Sequence, residues 1–231
     1  MNSPSAFAIC NNAAGIAGNI FAFVLFVSPI PTFQRIIKNK STEQFSGLPY
    51  LYALLNCLIC LWYGLPVVSH GIILVATVNS IGAAFQLTYS VIFLTYADKT
   101  NKVRMSGLLL AVFGVFGVVV IMSLKLFDHP ARQLFVGWLS IASLIFMFAS
   151  PLFIINLVIR TKSVEFMPFY LSLATFLMSL SFFAYGLFNF DPFIYFPNGV
   201  GTILGLIQLA LYCYYHHAST SSDGSTERLL G

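Results

Sequence analysis

Charged residues are scarce in this chain. Asp, Glu, Lys and Arg together make up 8% of its 231 residues, whereas a soluble domain carries about a quarter. So few charges cannot cover a water-facing surface, which excludes a soluble enzyme, and four cysteines are too few for a disulfide-stapled fold. Because 58% of the residues are hydrophobic and the mean hydropathy is +0.88, the chain is predicted to lie in the lipid bilayer.

Catalytic and metal-binding patterns are missing as well. The sequence has no HExxH, GxSxG or phosphate-binding loop. Cys57 and Cys60 have the CxxC spacing, but they lie inside an apolar helix, where neither a redox site nor a zinc site is expected. The sequence therefore predicts that the chain is not an enzyme and has no catalytic residue, no metal site, no cofactor and no nucleic-acid partner.

Seven hydrophobic runs approach the roughly 20 residues that a helix needs to cross a bilayer. They are too long and too continuous for barrel strands, which alternate and span about ten residues. One compact all-α membrane domain is therefore predicted, followed by a disordered cytosolic tail over 217–231. The predicted spans are 14–34, 46–66, 72–96, 105–126, 134–159, 167–188 and 193–215.

The basic residues are concentrated in alternate loops. Only Lys125 and Arg132 fall on one side of the predicted spans, and the other nine fall on the opposite side. Cytosolic loops carry an excess of Lys and Arg, so we expect the C-terminus in the cytosol and the N-terminus outside or in a lumen. The nine are Arg35, Lys38, Lys40, Lys99, Lys102, Arg104, Arg160, Lys162 and Arg228.

The two halves of the chain repeat each other. At an offset of 122 residues, positions 28–65 match the second half at 12 places without a gap, where chance gives about three. After the next loop the offset becomes 119, and Asn79 then matches Asn198. Each half thus contains one copy of a three-helix unit.

These copies predict a 3+1+3 arrangement. The first three-helix unit occupies 1–97, a linker helix with its loops 98–132, and the second unit 133–216. The chain crosses the membrane three times in the first unit and once more in the linker helix. The second unit therefore starts on the same side of the membrane as the first, and the two units are parallel. Transporters place their translocation path at the interface of such repeats. The alternative is an old duplication that serves folding only.

Short motifs recur at matching places in the two units. Ser-Pro lies near the end of each first span, Lys-Ser-x-Glu follows it, Tyr-Gly-Leu ends each second span, and the second unit continues as Lys-Ser-Val-Glu-Phe-Met-Pro. The last span contains Phe-Pro-Asn-Gly-x-Gly. In this order and spacing, over about 10–216, the motifs resemble the SWEET sugar transporters of eukaryotes, in particular plant members. The resemblance implies low-affinity, bidirectional, uncoupled movement of sugars.

Four prolines fall in the cytosolic half of the predicted membrane domain: Pro29, Pro49, Pro151 and Pro168. Each removes an N–H and pushes against the carbonyl four residues back, so each is expected to kink or loosen its helix. The alternative is that membrane helices tolerate prolines in general. By resemblance these positions form a proline tetrad that acts as hinge and cytosolic gate.

Asn79 and Asn198 are the strongest site candidates. Each is expected about eight residues in from the outer end of its helix, or about 12 Å at 1.5 Å per residue. An amide has two donors and one acceptor, which suit the neighbouring hydroxyls of a neutral sugar. The alternative is hydrogen bonding between helices. By resemblance the two asparagines bind the substrate.

The resemblance adds four residues to the substrate pocket. Cys60 and Phe182 match a pair in which the family usually has a small polar residue and Trp, and an aromatic ring can cover the apolar face of a pyranose. Leu25 and Met147 match positions associated with the choice between mono- and disaccharides, and their bulk favours a monosaccharide of the glucose type.

Tyr63 and Asp191 match the extracellular gate of the family, in which a phenol bonds a carboxylate across the path. Without the resemblance, Tyr63 would be read as an interfacial aromatic residue and Asp191 as a loop acid.

Uncoupled transport agrees with the absence of Lys, Arg, Asp and Glu from the span interiors, since proton coupling normally needs an ionisable group there. A selective small-solute channel is the nearest alternative, and a seven-helix receptor is a more distant one. By resemblance, homo-oligomers are expected, trimers among them. The expected location is the plasma membrane, with the vacuolar membrane as the alternative.

Overall fold

The computed structural model describes residues 6–164 and 167–229, without the side chains of 149–150 and 217–229. Glu165 and Phe166 of the second Lys-Ser-Val-Glu-Phe-Met-Pro motif, and the last two residues of the tail, lie outside it. Over the described residues the chain forms α-helices and no strand. The helices are α1 Ala6–Val27, α2 Ile30–Asn39, α3 Leu48–Gly64, α4 Ile73–Tyr96, α5 Lys99–Leu126, α6 His129–Met147, α7 Ala149–Thr161, α8 Phe169–Phe188 and α9 Pro192–Leu229.

These helices make seven membrane crossings. α1 with α2 forms one long apolar stretch, α6 with α7 forms another, and α4, α5, α8 and Pro192–His216 of α9 are each long and apolar enough to cross alone. α3 has 17 residues, or about 26 Å, close to the roughly 30 Å of a bilayer core. The seven-helix, all-α membrane fold predicted from the sequence is confirmed.

Some helices extend beyond the predicted spans. α1 begins at Ala6 rather than at 14, and α5 begins at Lys99 rather than at 105. The Asp98 side chain accepts hydrogen bonds from the backbone N–H of Thr100 and Asn101, so α5 starts in a polar turn that hydropathy does not detect.

α9 differs most from its prediction. It continues to Leu229, so the tail predicted to be disordered from 217 onward is helical up to that residue. Extending an existing helix avoids the free-energy cost of nucleating a new one. A prediction made from composition alone does not include this effect.

The first crossing of each unit is broken next to its proline. α1 ends at Val27 and α2 starts at Ile30, with Pro29 between them. Pro29 has no N–H to give to the carbonyl of Leu25, and the Ser28 hydroxyl donates to that carbonyl instead, at 2.8 Å. In the second unit the break lies at Phe148, between α6 and α7.

The other two prolines do not kink a helix, in contrast to the sequence-based expectation. Pro49 lies in the first turn of α3, and Pro168 is the N-terminal cap residue of α8. In these places the missing N–H would have had no helical partner in any case, so proline is accommodated without a break.

The two units share local geometry and pack crosswise. Lys40 and Lys162, which match at offset 122, both end a helix in the left-handed conformation, at φ 50° and 54°. α1 of the first unit packs against α8 of the second, and α6 packs against α3. The apolar cluster at this interface contains Tyr63, Phe182 and Tyr185.

The Tyr-Gly-Leu motif of each unit contains a close approach of two backbones. A Cβ atom on Gly64 would lie 2.5 Å from the backbone N of Ala76 in α4, and one on Gly186 would lie 2.5 Å from the backbone N of Tyr195 in α9. Only glycine fits at both places, so α3 with α4 and α8 with α9 form two tightly packed pairs.

Candidate functional site

A cavity of about 420 Å³ lies between the two units, within the range of about 300–1,000 Å³ that is typical of small-molecule sites. Residues of α1, α3, α4 and α6 to α9 form its walls. The molecule has a mouth end, where Tyr63 and Asp191 lie, and a basic end, where Lys40, Lys99 and Lys162 lie.

The structure brings together all six residues that were predicted to bind substrate. Each of them lines the cavity, although they come from six different helices. They are Leu25, Cys60, Asn79, Met147, Phe182 and Asn198.

The asparagine pair is held in the same way in both units. Asn79 is six residues after the start of α4, and Asn198 is six residues after the start of α9, or about 9 Å rather than the expected 12 Å. The Nδ2 of each donates at 2.8 Å to the carbonyl four residues back, that of Val75 or Ile194. One N–H and the Oδ1 of each amide therefore remain for a ligand.

Cys60 and Phe182 are fixed by their neighbours. The Cys60 thiol donates to Oδ1 of Asn56 at 3.7 Å, and the same oxygen accepts from the Ser143 hydroxyl at 2.8 Å. The Phe182 ring lies against Gly18 of α1, where a Cβ would come within 3.0 Å of three ring atoms. Because Gly18 has no side chain, the Phe182 ring can pack against α1 and form part of the cavity wall.

Tyr63 and Asp191 join the two units at the mouth end. The Tyr63 hydroxyl donates to both carboxylate oxygens of Asp191, at 2.7 and 2.8 Å, and the backbone N–H of Phe193 donates to Oδ1 at 2.9 Å. Tyr63 is 1% exposed and Asp191 6%. Burial raises the pKa of Asp191, while the hydrogen bonds from Tyr63 and Phe193 act in the opposite direction. The Tyr63 ring also packs edge-on against the Phe193 ring, so these contacts connect α3 to the start of α9 at the mouth end.

Of the four predicted gate prolines, only Pro151 lines the cavity. Pro29 is half-buried beside the α1–α2 break, and Pro49 and Pro168 are exposed. The structure therefore does not gather the tetrad into one wall.

Three amide side chains of the cavity wall were not singled out in the sequence: Asn56, Gln86 and Gln208. All three are buried and line the cavity. Their signal is an amide in an otherwise apolar span, and Asn56 lies one helical turn from Cys60, on the same face of α3.

The cavity wall is neutral. The described residues that line it include no Asp, Glu, Lys, Arg or His, and their polar groups are amides, hydroxyls and thiols among apolar and aromatic side chains. Within the described part of the chain, no group of three or more His, Cys, Asp or Glu could hold a metal ion. Such a wall can hydrogen-bond a neutral polyhydroxy compound and stack against its apolar faces.

A family model and individual plant proteins match the sequence. A family model described as "Sugar efflux transporter for intercellular exchange" matches residues 12–101 and 134–220. "Bidirectional sugar transporter SWEET2a" of Oryza sativa subsp. japonica is 69% identical over 211 residues, covering 91% of this chain and 87% of that protein. "Bidirectional sugar transporter SWEET2" of Arabidopsis thaliana is 66% identical over 219 residues, covering 95% and 93%.

The fold has a solved counterpart. "The 3.7 A resolution structure of a eukaryotic SWEET transporter" superposes with a TM-score of 0.91 at 61% identity, covering 92% of this chain and 100% of that chain. The seven-helix fold, the motifs in both units and the identity to plant proteins agree. The chain belongs to the SWEET family of sugar transporters and is similar to its plant members.

Proposed function

We propose that this chain carries a neutral monosaccharide of the glucose type across a membrane, in either direction and without coupling to an ion gradient. The single observation that carries the proposal is the neutral, amide-lined cavity between the two units. Its relatives, named bidirectional sugar transporters, support the substrate class. The absence of acidic and basic side chains from the cavity wall supports uncoupled transport.

The substrate is proposed to lie between Asn79 and Asn198. The free N–H and Oδ1 of each amide pair with sugar hydroxyls, and the Phe182 ring covers an apolar face of the sugar. Leu25 and Met147, near the two helix breaks, narrow the cavity with their bulky side chains. This arrangement favours a monosaccharide over a disaccharide.

Transport is proposed to occur by alternating access. Tyr63 and Asp191 form the gate at the mouth end, and they connect a helix end of the first unit to a loop of the second. The helix breaks beside Pro29 and Pro151 act as hinges, and Pro49 and Pro168 belong to the same cytosolic gate region. One chain supplies the whole cavity, so the proposed homo-oligomer, with a trimer among its expected forms, is not needed to complete the path.

The basic end is proposed to face the cytosol, in line with the positive-inside rule. This orientation applies to the plasma membrane and to the vacuolar membrane alike, because each has one cytosolic face.

Topology can be tested at Asn39, which stands in an Asn-Lys-Ser sequon at the end of α2. We expect no glycan on Asn39, and we expect an epitope at the C-terminus to be protected in intact cells and exposed after permeabilisation. A sequon engineered into the loop 66–70 serves as the positive control. Glycosylation of Asn39 would reverse the proposed orientation.

Sugar flux into proteoliposomes tests the function itself. We expect tracer glucose uptake that saturates, that is accelerated by unlabelled sugar inside the vesicles, and that is unchanged when an uncoupler collapses a proton gradient. Flux without saturation or counterflow would indicate the channel alternative. Uptake that stops with the uncoupler would require a proton site in the chain, and the absence of any sugar flux would refute the proposal.

A further inference from the structure

Two glutamine side chains line the cavity nearer the basic end than the asparagine pair. Gln86 is seven residues beyond Asn79 on α4, and Gln208 is ten residues beyond Asn198 on α9. At 1.5 Å per residue, these positions are displaced towards the basic end by about 10 and 15 Å. The cavity therefore has two sets of amides at different depths.

The two glutamine side chains are buried without partners among the described residues. Gln86 is 8% exposed and Gln208 6%, and neither side-chain amide has a hydrogen bond to any described residue. The Oε1 of Gln86 is fully shielded and accepts nothing. A buried amide without a partner lowers stability, so its retention in the cavity wall calls for an explanation.

The internal repeat does not supply that explanation. At offset 119, Gln86 matches Gly205 and Gln208 matches Tyr89. Tyr89 is engaged in the fold, because its hydroxyl donates at 2.6 Å to the carbonyl of Phe26 beside the α1–α2 break. Gln208 has no such bond, so the glutamines are not a symmetric pair of structural braces.

We propose that Gln86 and Gln208 form a second sugar-binding position at the basic end of the cavity. There the side-chain N–H groups of Gln86 and the amide of Gln208 pair with hydroxyls of a neutral sugar on its way between the asparagine pair and the cytosol. This inference rests on the proposed function and extends it from one binding position to two in sequence. Thr175, which lines the same wall, donates its hydroxyl to the carbonyl of Leu171 and keeps its oxygen as an acceptor for the sugar.

A second sugar-binding position on the cytosolic side of the asparagine pair has a measurable effect on the kinetics of transport. In an uncoupled carrier, Vmax/KM must be equal in the two directions, because no net flux occurs at equal concentrations. The two KM values themselves can differ, and a cytosolic position lowers the KM measured from the cytosolic face. The ratio of the two KM values is therefore the informative quantity.

The test compares wild type with Gln86→Leu and Gln208→Leu in oriented proteoliposomes, by zero-trans glucose flux in each direction. We expect the cytosolic KM divided by the opposite KM to rise about three- to tenfold in each variant, the loss that one net hydrogen bond gives. Gln86→Asn, which keeps the amide but withdraws it by one methylene, should give an intermediate ratio and covers the case that leucine impairs folding. Thr88→Val, on the exposed face of α4, is the matched control and should leave the ratio unchanged.

A purely structural role for the glutamines would reduce the number of active carriers, and hence Vmax in both directions, without changing the ratio of KM values. An unchanged ratio in all three glutamine variants, with wild-type flux intact, overturns the second position and leaves the proposed function standing. Absence of glucose flux in the wild type would instead count against the proposed function.

Discussion

Replacing Asn79 or Asn198 by alanine is expected to reduce glucose flux to near background while the protein remains abundant and inserted. Each substitution removes an acceptor and a donor from a cavity that recognises hydroxyls, at a cost of about 1–3 kcal/mol for each unpaired group. For a carrier of low affinity, this loss moves binding out of the useful concentration range. Tracer flux in proteoliposomes, with glucose binding to the purified protein, measures the effect.

The structure also separates this prediction from a role in helix association. Each asparagine donates to a carbonyl of its own helix, and hydrogen bonds between membrane helices contribute only about 0.6 kcal/mol on average. Ser80→Ala is the matched control, because Ser80 follows Asn79 and makes the same kind of bond, to the carbonyl of Ala76. Asparagine variants that melt early in detergent yet bind glucose normally would show that the amides serve assembly instead.

Tyr63→Phe is expected to open the mouth end, and to do so more strongly than Asp191→Asn. The phenylalanine leaves a buried carboxylate whose remaining bond is to the Phe193 N–H, whereas the Asp191→Asn variant keeps an uncharged acceptor for the phenol. Loss of a hydrogen bond to a charged group costs about 1.5–3 kcal/mol, or about 10- to 150-fold in the ratio of closed to open states. The double variant should open less than the sum of its parts, because no unpaired charge remains.

A native thiol reports on this opening. Cys60 lines the cavity and is buried, so a membrane-impermeant thiol reagent added at the mouth end reaches it only when the gate opens. With the other three cysteines replaced by serine, we expect Cys60 labelling to rise in Tyr63→Phe and less in Asp191→Asn. Labelling that is equal in wild type and both variants would contradict a gate at this contact.

Much of the fold is determined by features that sequence reasoning detects directly. The seven apolar runs fix the number of crossings, and the two offsets pair Asn79 with Asn198 and Cys60 with Phe182. These pairs line one cavity in the structure, because equivalent positions in parallel repeats lie at similar depth on either side of a shared interface. The distance of each residue from the start of its helix is predicted less well, because helix starts depend on loop geometry rather than on hydropathy.

Two prolines and two glutamines were not predicted correctly from the sequence. A proline breaks a helix only if the helix continues through it, and Pro49 and Pro168 instead stand at helix starts. Gln86 and Gln208 have no counterpart at the matching position of the other unit, so the repeat does not draw attention to them. Their importance rests on burial and on missing partners, and both properties require coordinates.

The backbone contacts at Gly64 and Gly186 limit how this protein can change shape. A helix pair whose backbones approach this closely cannot slide or separate without losing contact along the seam. We therefore expect the pair α3 with α4 and the pair α8 with α9 each to move as a rigid body. Bending is then expected at the breaks between α1 and α2 and between α6 and α7, so these two short segments would carry most of the change of shape.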